Sequence, residues 1–263
     1  MMNEPKVARS RFRFASRSLQ AFYGAPVGIL LLDRTGRSDE FDRPYIPGSV
    51  GNSSTWSVPV RYKIVPGLSF NRLMAPDFEL YAPSVARAAE ELMHEGAQII
   101  TANCGFMIRY QCAIRAAVSV PVLLSPLLLC PLLERLLPRD KALGIITANA
   151  CSLTADVLED AGLPANSERV VIAGLENSPC FAAAFLTASG DLDENVVERE
   201  TVDAAVSLLN DRPDIGMLLL ECSELPPYAA AVQQAIGIPV FDFTSMVEFV
   251  VAGLIRRPFA GLD

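Results

Sequence analysis

Short apolar runs alternate along this chain with stretches whose apolar residues recur at helical spacing. The runs predict strands at Val27–Asp33, Ala97–Thr101, Pro121–Leu124, Ala142–Thr147, Arg169–Ala173, Ile215–Leu220 and Pro239–Phe243. Most are apolar almost throughout, the pattern of parallel strands covered on both faces. Helical spacing fills the intervals Pro76–Glu95, Phe106–Ala117, Cys151–Ala161, Glu194–Asn210 and Pro226–Ala235. Such alternation predicts an α/β fold with parallel sheet. The Leu-rich stretch Val120 to Pro138 is broken by Ser125, Pro126, Pro131 and Glu134, so it reads as a buried strand and a short buried helix, not a membrane span.

Arg34 to Pro66 breaks this rhythm. It is rich in Gly, Pro and Ser, and loops of this length tend to be functional. Within it, "SVPVRYKIV" predicts an extra strand or a hairpin arm. "YIPGSVGNSSTW" leaves the carboxyl edge of the first strand, which makes Gly48 and Asn52 candidate substrate contacts.

The pattern also repeats. "GILLLD" begins at Gly28 and "GIITAN" at Gly144; Cys104 follows the first by 76 residues and Cys222 the second by 78. Pro121 and Pro239 each lie 17 residues beyond their cysteine, within "VPVLL" and "IPVFDF". A repeat this long means duplicated domains. Each half puts one cysteine at the carboxyl end of a parallel strand, where open α/β sheets bind ligands. The expected organisation is a flexible basic arm over 1–24, a first α/β domain over 25–124 plus 244–263 carrying Cys104, and a second over 125–243 carrying Cys222.

Composition narrows the chemistry. A formal charge of -8 and a sequence pI near 4.8 argue against a nucleic-acid partner, which calls for a basic face. The arm is the exception, with Lys6, Arg9, Arg11, Arg13 and Arg17 opposed by Glu4. Six cysteines without an apolar leader fit reduced thiols in a cytoplasmic protein that binds no membrane. No C-x-x-C spacing and a single histidine, His94, speak against a metal site or a histidine triad. Three lysines (Lys6, Lys63 and Lys141) in no phosphate-binding context, and no G-x-G-x-x-G after a strand, leave a cofactor-independent enzyme.

Two facing thiols suit proton transfer at carbon. One, as thiolate, removes a proton; the other, as thiol, delivers one to the opposite face. A helix N-terminus at each cysteine would lower its pKa from about 8.5. Polar groups at the strand ends, Thr101, Asn103, Thr147, Asn149 and Ser223, are candidates to bind the carboxylate and the enolate-like charge. The remaining cysteines are expected to be structural, with Cys112 on the core face at helical spacing from Ile108.

"TANCGF", "ECSELPPYAAAVQQAIGIPVFD" and the paired halves resemble the aspartate/glutamate racemase superfamily from about Val27 onward. The resemblance implies two Rossmann-like parallel-sheet domains related by a pseudo-twofold, with the active site in the cleft between them. It implies a cofactor-free amino-acid racemase or epimerase in which Cys104 and Cys222 are the two bases, acting on a small-molecule carboxylate, with a homodimer or higher homo-oligomer common. Asn103, Ser223, Thr147 and Asn149 become carboxylate contacts, and Glu224 matches an acidic residue that often follows the second cysteine. Many of these racemases carry Asn-Thr after the first cysteine, where both bind substrate; here Gly105 and Phe106 stand there. Two alternatives stay open: a maleate-isomerase-like or decarboxylase-like enzyme using a cysteine as nucleophile or acid, and a non-catalytic small-molecule-binding protein. The arginines considered for a side-chain carboxylate are Arg43, Arg61 and Arg109.

Overall fold

The computed structural model describes residues 23–34, 44–164, 167–187, 189–256 and 258. The arm over 1–24 therefore lies almost wholly outside the described residues, as does Arg43. Among the described residues eight strands form two parallel sheets. The first contains β1 (Val27–Leu31), β2 (Val60–Ile64), β3 (Ile99–Ala102) and β4 (Val122–Leu123), in the order β2-β1-β3-β4. The second contains β5 (Ala142–Thr147), β6 (Val170–Gly174), β7 (Ile215–Leu220) and β8 (Val240–Phe241), in the order β6-β5-β7-β8. The two orders correspond strand for strand, so the internal repeat is a structural duplication. The segment "SVPVRYKIV" supplies β2, which runs parallel to β1 and is no hairpin arm.

The helices are α1 (Phe70–Leu73), α2 (Ala82–His94), α3 (Gln111–Ala117), α4 (Cys130–Leu136), α5 (Ala155–Asp160), α6 (Pro179–Phe181), α7 (Glu194–Asp211), α8 (Ala229–Ile236) and α9 (Phe243–Leu254). Among the described residues no helix is long and apolar enough to cross a membrane. His94 is the exposed last residue of α2. Helix α9 has no counterpart in the expected elements. Asp242 and Ser245 close a capping box at its start, and Phe243, Met246, Val247 and Val251 bury against Val27, Ile29 and Ile99 of the first sheet. The chain thus leaves the second sheet and returns to cover the first.

Apolar strands are explained by cover on both faces. Every residue of β5 is buried, and one core joins Leu30 and Ile100 of the first half to Leu143, Ile145 and Leu219 of the second. The two sheets are fixed against each other by this shared interior, which holds their carboxyl edges together.

The segments after the strands are wound more tightly than the apolar spacing predicts. A 3-10 helix, Gly105–Tyr110, precedes α3, and another, Pro226–Tyr228, precedes α8. A 3-10 turn advances three residues per turn rather than 3.6. Ile108 and Gln111 are accordingly both buried, whereas Cys112, expected on the core face, is exposed. Cys151 is exposed as well, Cys180 is partly covered and Cys130 is buried.

Candidate active site

Both halves end their third strand in the same way. After β3 the chain runs Asn103, Cys104, Gly105; after β7 it runs Glu221, Cys222, Ser223. The two ends meet. Ser223 Oγ donates to the backbone oxygen of Asn103 at 2.7 Å, a buried hydrogen bond between residues 120 apart in sequence. Asn103 is held in turn by Leu32 N–H donating to its Oδ1 at 3.0 Å, and its own N–H donates to Leu30 O at 3.0 Å. Truncating Ser223 to alanine would leave that buried carbonyl without its donor. The expected cost is about 1 kcal/mol, a Tm lower by roughly 2–4 °C in a thermal melt.

Around this junction lies a cavity of about 490 Å³, part of it open to solvent. Cys104 and Cys222 both line it, together with Asn103, Gly105, Ser223 and Glu224. Aromatic surface comes from Phe70, Phe106 and Phe185, with Phe70 and Phe106 packed edge to face at 6.2 Å. Arg34 and Glu221 supply the other charged groups of the wall. Among the described residues no cluster of three or more metal-ligating side chains occurs.

The remaining expected contacts stand elsewhere. Thr101 Oγ1 donates across the sheet to Leu123 O at 2.6 Å, and Thr147 Oγ1 donates to Glu221 Oε2 at 2.7 Å; both threonines are fully buried behind the cavity wall. Each lies within its strand, so its side chain points into a sheet face; the residues beyond the strand end reach the cavity. Asn149 caps a short 3-10 helix by accepting from Cys151 N–H at 3.0 Å. Asn52 likewise caps Ser53–Thr55, accepting from Ser54 N–H at 2.9 Å. Gly48, with φ +96°, packs against Pro227 in the turn after Cys222; a Cβ there would lie 3.0 Å from Pro227 Cα. Of the arginines considered, Arg61 bonds Glu95 at 2.7 Å, and Arg109 pairs with Asp156 at 3.5 Å and lies over the Phe78 ring at 4.7 Å. Neither lines the cavity.

Sequence reasoning passed over six lining residues, among them Arg34, Phe70, Phe185 and Glu221. Arg34 lies just beyond β1, and Glu221 directly precedes the second cysteine; both positions near strand ends were available signals. Phe185 arrives from a one-turn π-helical stretch, Ala182–Leu186, and no sequence pattern marks it.

The electrostatics also differ from expectation. Cys222 does not head an α-helix. Burial, reinforced by the adjacent Glu221 and Glu224 carboxylates, holds its thiol well above the ordinary cysteine value. Cys222 is therefore a thiol at neutral pH, not the thiolate that a helix dipole would favour. Glu221 is itself fully buried, and that burial pushes its carboxyl up to about 7 despite the hydrogen bond from Thr147.

Solved structures share this architecture. An aspartate racemase homologue from Pyrococcus horikoshii OT3 superposes with a TM-score of 0.54 at 18% identity, covering 87% of this chain and 97% of that one. Unliganded arylmalonate decarboxylase gives 0.53 at 16% identity, covering 90% and 97%. Glutamate racemase from Bacillus anthracis gives 0.52 at 13% identity, covering 88% and 81%. The fold is that of the aspartate/glutamate racemase superfamily, and the two cysteines sit in the cleft between its halves.

No family model matches the chain. Sequence relatives are more particular. A dimethylsulfoniopropionate lyase from Durusdinium sp. clade D is 33% identical over 227 residues, 83% of this chain and 73% of that protein. Dimethylsulfoniopropionate lyase 3 from Emiliania huxleyi (strain CCMP1516) is 29% identical over 243 residues, 90% of this chain. This chain belongs to the family of these lyases. It spans 62% of the length of the Emiliania huxleyi relative.

Proposed function

We propose that this chain is a cofactor-independent lyase that cleaves a β-sulfonio carboxylate of the dimethylsulfoniopropionate type into dimethyl sulfide and acrylate. The observation that carries this reading is the cavity itself: two thiols, one arginine and three phenylalanines around one small space. The related lyases support it over the amino-acid racemase that the cysteine motifs suggest.

The reaction asks for three things that these residues can supply. The substrate carboxylate needs a cation to draw charge from the α-carbon; Arg34 is assigned that role. The α-proton needs one base. Cys104 is assigned it, because Cys222 stays protonated beside two carboxylates. The sulfonium methyls need an apolar surface with electron-rich faces, which Phe70, Phe106 and Phe185 offer.

In the step itself Cys104 sulfur takes the α-proton. The C–H pair becomes the new C–C double bond, and the C–S pair departs on sulfur. The leaving group is neutral, so no acid is required to expel it. A racemase needs both thiols to exchange protons with one carbon; elimination needs one base. Cys222 then acts as a thiol donor toward the developing negative charge.

The test is product analysis with the purified protein. Dimethyl sulfide in the headspace and acrylate by NMR, in equal amounts, are the expected result. Absence of both, with α-proton exchange of aspartate or glutamate in D2O, would return the racemase reading.

A further inference from the structure

Glu221 has no assigned part in that chemistry, yet it occupies an unusual position. It is 1% exposed and stands between the last residue of β7 and Cys222. One carboxyl oxygen, Oε2, accepts from Thr147 at 2.7 Å. The other, Oε1, is buried with no hydrogen-bond partner. That oxygen lies over Gly105, where a Cβ would be only 1.7 Å away, in the wall that also holds Cys104 and Cys222. A buried acceptor without a donor destabilises the fold, and an apolar residue of similar volume would pack there at less cost. The arrangement makes sense if something entering the cavity completes it.

We infer that Glu221 is the residue by which the site selects a cationic substrate, its open carboxyl oxygen facing the sulfonium while Arg34 faces the carboxylate. This rests on the lyase reading and names how that site discriminates. Four titratable or charged groups share the cavity wall with Glu221: Cys222 and Glu224 on its own strand end, and Cys104 and Arg34 from the first half. Thr147 on β5 and Cys130 at the start of α4 approach it from behind. Burial raises the Glu221 carboxyl to about 7, so near neutrality it holds a proton for much of the time. A cation arriving beside Oε1 favours the ionised form, and binding expels that proton. Affinity for the onium compound should therefore rise as pH increases toward and past 7, whereas affinity for an isostere without the positive charge should not.

The kinetic signature is equally specific. Sulfur loses its positive charge as the C–S bond breaks, so a carboxylate beside it holds the ground state more strongly than the transition state. Removing it raises KM and leaves kcat unchanged or higher.

Two measurements on the full chain test this. First, steady-state dimethyl sulfide release by wild type and Glu221→Gln: the expected result is a KM raised roughly tenfold or more with kcat within about twofold. A fall in kcat at constant KM would overturn the inference in favour of a role in orienting Cys222. Second, calorimetric binding to wild type between pH 6 and 8 of 3-(trimethylammonio)propanoate and of 4,4-dimethylpentanoate, its isostere with carbon in place of the cationic nitrogen. The ammonium compound should bind more tightly and release a proton; equal affinity at every pH would overturn the inference. This second measurement needs neither turnover nor a folded variant. Failure of wild type to release dimethyl sulfide would sink the lyase reading, while the calorimetry would still decide whether the cavity prefers a cation.

Discussion

Replacing Cys104 by serine is expected to lower kcat/KM for dimethyl sulfide release by roughly a thousandfold or more, the range of a general base removed from carbon chemistry. A hydroxyl at that position is far too weak a base near neutral pH, and serine keeps the side chain's shape, so folding should be preserved. Cys222→Ser should cost less, on the order of ten- to a hundredfold. The difference follows from the environment of Cys222, whose thiol is held protonated by burial and by Glu221 and Glu224. A thiol in that state donates a hydrogen bond, and a serine hydroxyl can replace part of that. Headspace assays of both variants, with melting temperatures alongside, are the measurement. Equal and complete loss in both would mean that both sulfurs are required for the elimination, against a single base assisted by a hydrogen-bond donor.

The second large effect is expected at Gly105. Its backbone does not adopt the left-handed conformation that favours glycine; what excludes a side chain is space. A Cβ would lie 1.7 Å from Glu221 Oε1, 2.6 Å from its Cδ and 2.9 Å from its backbone oxygen. The first two contacts could be relieved by moving the Glu221 side chain out of its seat. The third is backbone, at the strand end that carries Cys222. Gly105→Ala should therefore displace the second thiol relative to the first. It should destabilise by about 1–3 kcal/mol, visible as a Tm lower by several degrees. Activity should fall by roughly a hundredfold, since small misplacements of reacting groups have effects of that order. A variant with unchanged Tm and unchanged activity would mean that Glu221 can vacate this position freely, which would weaken its assigned role as well.

That clash explains a departure visible in the sequence. Many racemases of this fold carry polar side chains after the first cysteine. Here a glycine stands there because a glutamate from the other half fills the space in front of it. Neither residue can be understood from its own neighbours in the chain.

The sequence by itself determined the parallel α/β fold, the duplication and the addresses of Cys104 and Cys222. These follow from local signals. Strands covered on both faces need continuous apolar runs, a duplication leaves matched spacings, and a cysteine at a strand end lies at the ligand-binding edge whatever the partners are. Only the tertiary structure decided which polar residues face the cavity. Thr101 and Thr147 turn into the sheets because they lie inside strands, whereas Asn103 and Ser223, beyond the strand ends, meet across the halves in a 2.7 Å hydrogen bond. Tertiary structure also decided the protonation of Cys222, since desolvation and the approach of two carboxylates outweigh any local dipole. Arg34, Phe185 and Glu221 enter the site from three separate segments. Their convergence depends on the angle at which two sheets pack, and no run of neighbouring residues encodes that.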